Sequence, residues 1–238
     1  MIPIQRKYIA PGHPNRPGTK LTALKAIVIH YTANDSPGAD DTMNAEYFGR
    51  GWHMGKDGKP AEWQQQQRRN PDGSLMTTPA GTPIYAKAEV PFRYGSAQVI
   101  CDEDSCCETM PLDEVAWGCG DRHLPYDNLN KGQQPAARIW FGNNQNQMTL
   151  NVEICNNANW EKAVTNAHNW IIDQLQQRKL TINISCSLNP NVAGILFPGE
   201  VLLLTHHAVT GKNCPAPLVA DPAEWERIVR DISARTQA

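Results

Sequence analysis

Residues that suit a metal occur at two widely separated places in this chain. His30 lies in a short β-branched apolar run, Ala26-Ile27-Val28-Ile29-His30-Tyr31-Thr32. Far downstream, His206 and His207 precede a cysteine in Thr205-His206-His207-Ala208-Val209-Thr210-Gly211-Lys212-Asn213-Cys214-Pro215. Together these segments offer two imidazoles and one thiolate, three ligands that suit zinc. A structural zinc site closes with four protein ligands, whereas a catalytic one keeps three and leaves the fourth position to water. No second cysteine lies within a few residues of Cys214, which excludes a zinc-finger knuckle. His206 and His207 are adjacent at the end of a strand-like run and point to opposite sides, so only one should reach a shared metal. Lys212 lies two residues before Cys214. A cation there does not help a structural site, but it fits beside a developing oxyanion. Glu153 interrupts a second apolar strand-like run, Asn151-Val152-Glu153-Ile154-Cys155. A buried glutamate is rare unless paired or functional. The bland alternatives are an edge-strand glutamate facing solvent, a hydrogen-bonded core histidine at His30 and a small buried hydrophobe at Cys214.

Five segments in order carry a resemblance. They are Ile27-Val28-Ile29-His30-Tyr31-Thr32-Ala33-Asn34, Gly95-Ser96-Ala97, Pro111-Leu112-Asp113-Glu114-Val115-Ala116-Trp117, Asn151-Val152-Glu153-Ile154-Cys155 and the run from His206 to Pro215. In these the chain resembles the type 2 N-acetylmuramoyl-L-alanine amidases, the zinc amidases of phage endolysins, autolysins and peptidoglycan-recognition proteins. The resemblance implies a Zn²⁺ held by His30, His206 and Cys214. The family places its second histidine eight residues before the cysteine, and 214 − 8 = 206 selects His206 over His207. It also implies Glu153 as the general base that later protonates the leaving amine, and Lys212 as the group that stabilises the oxyanion. Trp117 becomes either a wall for sugar or peptide, or a buried core tryptophan.

The chain also departs from the family. Ser96-Ala97-Gln98 stands where relatives often read Ser-Ala-His, and Ala116-Trp117-Gly118-Cys119-Gly120 where they often read Ala-Trp-His-Ala-Gly. Some relatives use a catalytic tyrosine near the position of Ala97, and none is present here. Proton transfer should therefore rest on Glu153. The activity implied is hydrolysis of the amide between the lactyl group of N-acetylmuramic acid and L-alanine in peptidoglycan. Two other readings remain: a non-catalytic peptidoglycan-recognition module, and a cytoplasmic recycling amidase acting on anhydro-muropeptides.

Composition sets the outer bounds. A chain of 238 residues with 40% hydrophobic content suits one α/β domain with insertions. A net charge of -2 argues against nucleic acid as a partner, since phosphate binding relies on clustered Lys and Arg. No apolar run approaches the roughly 20 residues of a membrane span. The segment Met1-Ile2-Pro3-Ile4-Gln5-Arg6-Lys7 has no apolar stretch of a signal peptide, so synthesis in the cytoplasm and action at the cell wall are expected. Of the seven cysteines, the six besides Cys214 read as free thiols of a reducing compartment, with a disulfide framework possible but unneeded.

The elements follow from periodicity. Residues 1–24 read as an irregular arm, Lys25 to Thr32 as a buried strand and Ala39 to Phe48 as a helix. Residues 50–93 read as a long insertion of turns or a small hairpin, expected at the rim of the cleft. Gly95 to Cys101 and Cys106 to Met110 read as strands joined by an acidic turn, and residues 118–146 as loop. Thr149 to Cys155 is a central strand, Trp160 to Leu180 an amphipathic helix, and Val201 to Leu204 a strand leading into His206. A last helix starts from Asp221 as N-cap, with Glu224 placed for a capping box. The expected fold is α/β: a mixed central β-sheet flanked by helices, in a single domain spanning 1–238.

Overall fold

A computed structural model describes residues 2–120, 136–157 and 159–237. The chain forms two compact units, one of Met1–Gly49 with Gly95–Ala238 and one of Arg50–Tyr94. The first half contains β1 (Ile4–Arg6), β2 (Ala26–Tyr31), α1 (Asp41–Phe48), β3 (His53–Met54), β4 (Pro60–Gln67), β5 (Tyr85–Pro91), β6 (Val99–Cys101) and β7 (Cys106–Glu108). The second half contains α2 (Ala136–Phe141), β8 (Thr149–Ile154), α3 (Trp160–Arg178), β9 (Thr181–Ile182), α4 (Ile184–Leu188), β10 (Glu200–Thr205), α5 (His206–Thr210), α6 (Ala216–Ala220) and α7 (Pro222–Gln237).

The larger unit is built on a seven-stranded sheet in the order β1-β7-β6-β8-β2-β10-β9. Only β6 and β7 pair antiparallel, so the sheet is mixed. Its middle strands β8, β2 and β10 are buried almost throughout, as parallel strands covered on both faces must be. Successive side chains alternate between the faces. Ile27, Ile29, Leu150, Val152, Ile154, Val201 and Leu203 pack on one face against α3 and α7. The stripe Ala163, Val164, Ala167, Trp170, Ile171 and Leu175 is the buried side of α3, as its spacing of three and four predicts. Ala26, Val28, Leu202 and Leu204 lie on the other face with α2 and Val209 of α5. The same alternation places His30, Asn151 and Glu153 on that second face, where α3 and α7 do not cover them.

Several elements differ from expectation. The arm is not wholly irregular, because Ile4–Arg6 adds an edge strand parallel to β7. Its three residues are all exposed, so no apolar pattern marks it in the sequence. Within 118–146, α2 and a 3₁₀ turn at Gln145–Gln147 replace part of the expected loop, while residues 121–135 lie outside the described residues. Cys101 and Cys106 form a disulfide, which corrects the expectation of free thiols at these two positions. They face each other across the antiparallel β6–β7 pair with Cα atoms 4.1 Å apart, close enough for the bond. Cys107, Cys119, Cys155, Cys186 and Cys214 are not in a disulfide among the described residues. At α7, Asp221 caps as expected by accepting from the Glu224 amide at 3.0 Å. The Glu224 carboxylate pairs with Arg227 instead of reaching back, so only half of the capping box forms.

The smaller unit is a three-stranded antiparallel sheet, β3-β4-β5. Arg50 ties it together through a 2.6 Å ion pair with buried Glu62, and its guanidinium lies over the Phe92 ring. Gly73, at φ 85, closes the Asn70-Pro71-Asp72-Gly73 turn in a conformation that favours glycine. No described helix is long and apolar enough to cross a membrane.

Candidate metal centre

Parallel pairing brings the distant ligand candidates together. Thr205 of β10 lies opposite Ile29 of β2, so the next residue, His206, falls beside His30. There is no connecting loop. Thr205 ends the strand and caps α5, its Oγ1 accepting from the Ala208 amide at 3.1 Å. His206 and His207 are therefore the first residues of a helix, where neighbouring side chains diverge by about 100°. This replaces the strand alternation expected from the sequence as the reason that only one points inward. His206 is 2% exposed. His207 turns outward, with Nδ1 3.1 Å from the Lys212 carbonyl. Gly211, at φ 84, ends α5, and the chain doubles back so that the His207 amide donates to the Cys214 carbonyl at 2.8 Å. That return delivers Cys214, 4% exposed, to the two rings.

His30 Nδ1 lies 3.0 Å from His206 Nδ1 and 4.0 Å from Cys214 Sγ. All three ligand atoms lie within 4.8 Å of one another, and all three residues are buried. This cluster could hold a metal ion, and among the described residues no other group of His, Cys, Asp and Glu meets the same spacing.

Glu153 is register-paired with His30 and shares its face of the sheet. Its Oε2 is buried and has no hydrogen-bond partner among the described residues. Burial pushes its carboxyl up to about 7, against the pull of the Lys212 ammonium. A carboxyl that titrates near neutrality suits proton transfer at neutral pH. Lys212 itself is exposed on the turn between α5 and Cys214. Trp117 is not a core residue: it is 37% exposed, and its indole Nε1 donates to the Pro14 carbonyl at 3.0 Å.

Residues not singled out as functional also converge here. Asn151 Oδ1 lies 3.0 Å from His30 Nε2 and accepts from the Cys119 thiol at 3.0 Å. Gln98, fully buried, accepts from the Asn151 amide at 2.7 Å. The signal for Asn151 was present: it sits two residues before Glu153 in an apolar strand, hence on the same face.

A model of the N-acetylmuramoyl-L-alanine amidase family matches residues 20–217. The chain belongs to this family. It is 23% identical over 227 residues to the N-acetylmuramoyl-L-alanine amidase CwlL of Bacillus licheniformis, covering 94% of this chain and 45% of that protein. It is 24% identical over 228 residues to the amidase BlyA of Bacillus subtilis (strain 168), covering 96% of this chain and 46% of the relative. The chain thus spans about half the length of the curated relatives it matches. Among solved structures, a mutant endolysin from Bacillus subtilis superposes with a TM-score of 0.56 at 22% identity, covering 96% of this chain and 99% of that one. PlyL gives a TM-score of 0.55 at 18% identity, with 98% of each chain covered. These likenesses establish the amidase-type α/β fold.

Proposed function

We propose that this chain is a zinc-dependent N-acetylmuramoyl-L-alanine amidase. It would hydrolyse the amide between the lactyl group of N-acetylmuramic acid and the L-alanine of the stem peptide in peptidoglycan. The observation that carries the reading is the meeting of His30, His206 and Cys214 with Glu153 beside them. The donor set fits zinc. With Zn–N near 2.0–2.1 Å and Zn–S near 2.3 Å, tetrahedral coordination needs donor separations of ~3.3 Å between nitrogens and ~3.6 Å from nitrogen to sulfur. The 3.0 Å and 4.0 Å found at His30 are close to these values, and all three separations are within 4.8 Å.

Zinc, when bound, supplies a Lewis acid that polarises a carbonyl and makes water more acidic. The protein's own groups do the rest. Glu153 takes the proton of the attacking water and returns it to the departing amine. Lys212 places a positive charge where the tetrahedral oxyanion develops. Trp117, with part of its ring exposed, offers a wall to sugar or peptide. All three ligand positions are filled, which favours an enzyme over a recognition module. Its site of action is the cell wall.

The test uses purified protein and intact sacculi. About one zinc per chain and loss of activity on chelation are expected. The products should show new L-alanine N-termini without new reducing sugar. Full activity in rigorously metal-free protein would sink the zinc reading, and new reducing ends would sink the amidase reading.

A further inference from the structure

We propose that Asn151 is a positioning residue that selects the Nε2–H tautomer of His30 and so aims the Nδ1 lone pair into the ligand cluster. The tautomer assignment stands on the hydrogen-bond network alone; its consequence for zinc rests on the reading above.

The argument starts at the backbone, whose donors and acceptors are unambiguous. The Gln98 side chain is pinned by two main-chain groups. Its Nε2 donates to the Glu114 carbonyl at 2.8 Å, and its Oε1 accepts from the Asn151 amide at 2.7 Å. Flipping that amide would set acceptor against acceptor and donor against donor, so its orientation is fixed. Gln98 then orients Asn151. Asn151 Nδ2 lies 3.4 Å from Gln98 Oε1 and 3.4 Å from Thr149 Oγ1. These bonds are long, but a flipped Asn151 would bring its oxygen against the Gln98 oxygen. Oδ1 therefore faces His30 Nε2 at 3.0 Å. An amide oxygen carries no proton, so the contact is attractive only when Nε2 does. In the neutral ring Nδ1 is then bare, and Nδ1 is the atom 3.0 Å from His206 and 4.0 Å from Cys214.

One further contact and one small residue keep Asn151 in place. The Cys119 thiol donates to the same Oδ1 at 3.0 Å. Gly118 leaves the space: a Cβ there would lie 2.4 Å from Oδ1 and 2.5 Å from Cγ of Asn151. Gln98 and Gly118 both meet at Asn151, so the two belong to one arrangement. An outer-shell partner of this kind is typically worth 10- to 100-fold in metal affinity.

The test reads the ring itself. In metal-free, ¹⁵N-labelled protein near pH 8, above the ordinary imidazole range, the ring nitrogen shifts of His30 report the tautomer. The parent should show Nε2–H. Asn151→Leu, similar in size but without an acceptor, should show a mixture and bind zinc about 10- to 100-fold more weakly. Asn151→Asp keeps an acceptor towards His30 but sets its second oxygen against Gln98 Oε1, so it should retain the tautomer in the folded protein while lowering its melting temperature. If Asn151→Leu gives no folded protein, Gly118→Ala decides, because it displaces the Asn151 side chain without changing its chemistry; the same loss in smaller measure is expected. An Nδ1–H ring in the metal-free parent overturns the proposal. So does a folded Asn151→Leu or Gly118→Ala protein with parental tautomer and parental zinc affinity. A parent that shows the tautomer, loses it on substitution and yet binds no zinc would remove the zinc reading and leave the positioning role standing.

Discussion

Glu153 is held by opposing forces: burial favours its neutral form, and the Lys212 ammonium favours its charged one. Glu153→Gln replaces the carboxyl with a near-isosteric amide and so separates proton transfer from metal binding. We expect zinc content and melting temperature no lower than the parent's, with turnover down roughly 10² to 10⁴. Near-parental turnover would leave Glu153 without a part in the chemistry, and a lower melting temperature with little rate loss would make it a structural anchor. The histidine pair gives a second comparison. His206→Ala removes a ring nitrogen from the cluster and should lose zinc. His207→Ala removes only the contact to the Lys212 carbonyl and should retain most of it. Metal content measured on both variants checks the assignment, and the reverse result would make His207 the ligand.

At the level of elements, helix ends offer the most direct check. Asp221→Ala removes the side-chain acceptor at the start of α7 and should cost about 1 kcal/mol, read as a modest fall in melting temperature. An unchanged melting temperature would mean that water replaces the cap without loss. The elements that position the site were legible because their periods are clear. The run from Ala26 to Tyr31 and that from Thr149 to Ile154 are apolar and β-branched, and α3 repeats every three to four residues. What was not legible lacks a period or depends on pairing. Helix α5 has five residues and no repeat, so the inward turn of His206 was expected for the wrong geometric reason. The three exposed residues of β1 owe their strand to the neighbouring β7 edge. The link from Gln98 through Asn151 to His30 depends on register across β6, β8 and β2, which a single sequence does not display. Glu153 stood out in the sequence as a carboxylate in an apolar strand, and Cys214 by its spacing from the histidine pair.

Across the whole molecule, two buried groups tilt stability against pH in opposite senses. Asp41 is raised from 3.8 to about 6, first by burial and then by the charge of Asp102. Its contribution is full below its unfolded value and is lost as pH rises through about 6. His168, between α3 and α7, is lowered from 6.5 to about 4, chiefly by burial. Its contribution is full above 6.5 and is lost as pH falls towards about 4. Asp41→Asn should therefore melt higher than the parent above pH 6 and lose more on acidification. His168→Gln should flatten the acid limb. Melting curves from about pH 4 to 8, taken as differences from the parent, check both signs, and parallel curves would show that neither group is perturbed. The distances along the chain within the ligand cluster have a different kind of consequence. His30 stands 176 residues from His206 and 184 from Cys214. During synthesis His30 emerges well before its two partners in the cluster. A nascent chain that has not yet reached His206 holds one of the three. Translation itself acts as a timer: the cluster is complete only once Cys214 has been made and β10 has closed against β2.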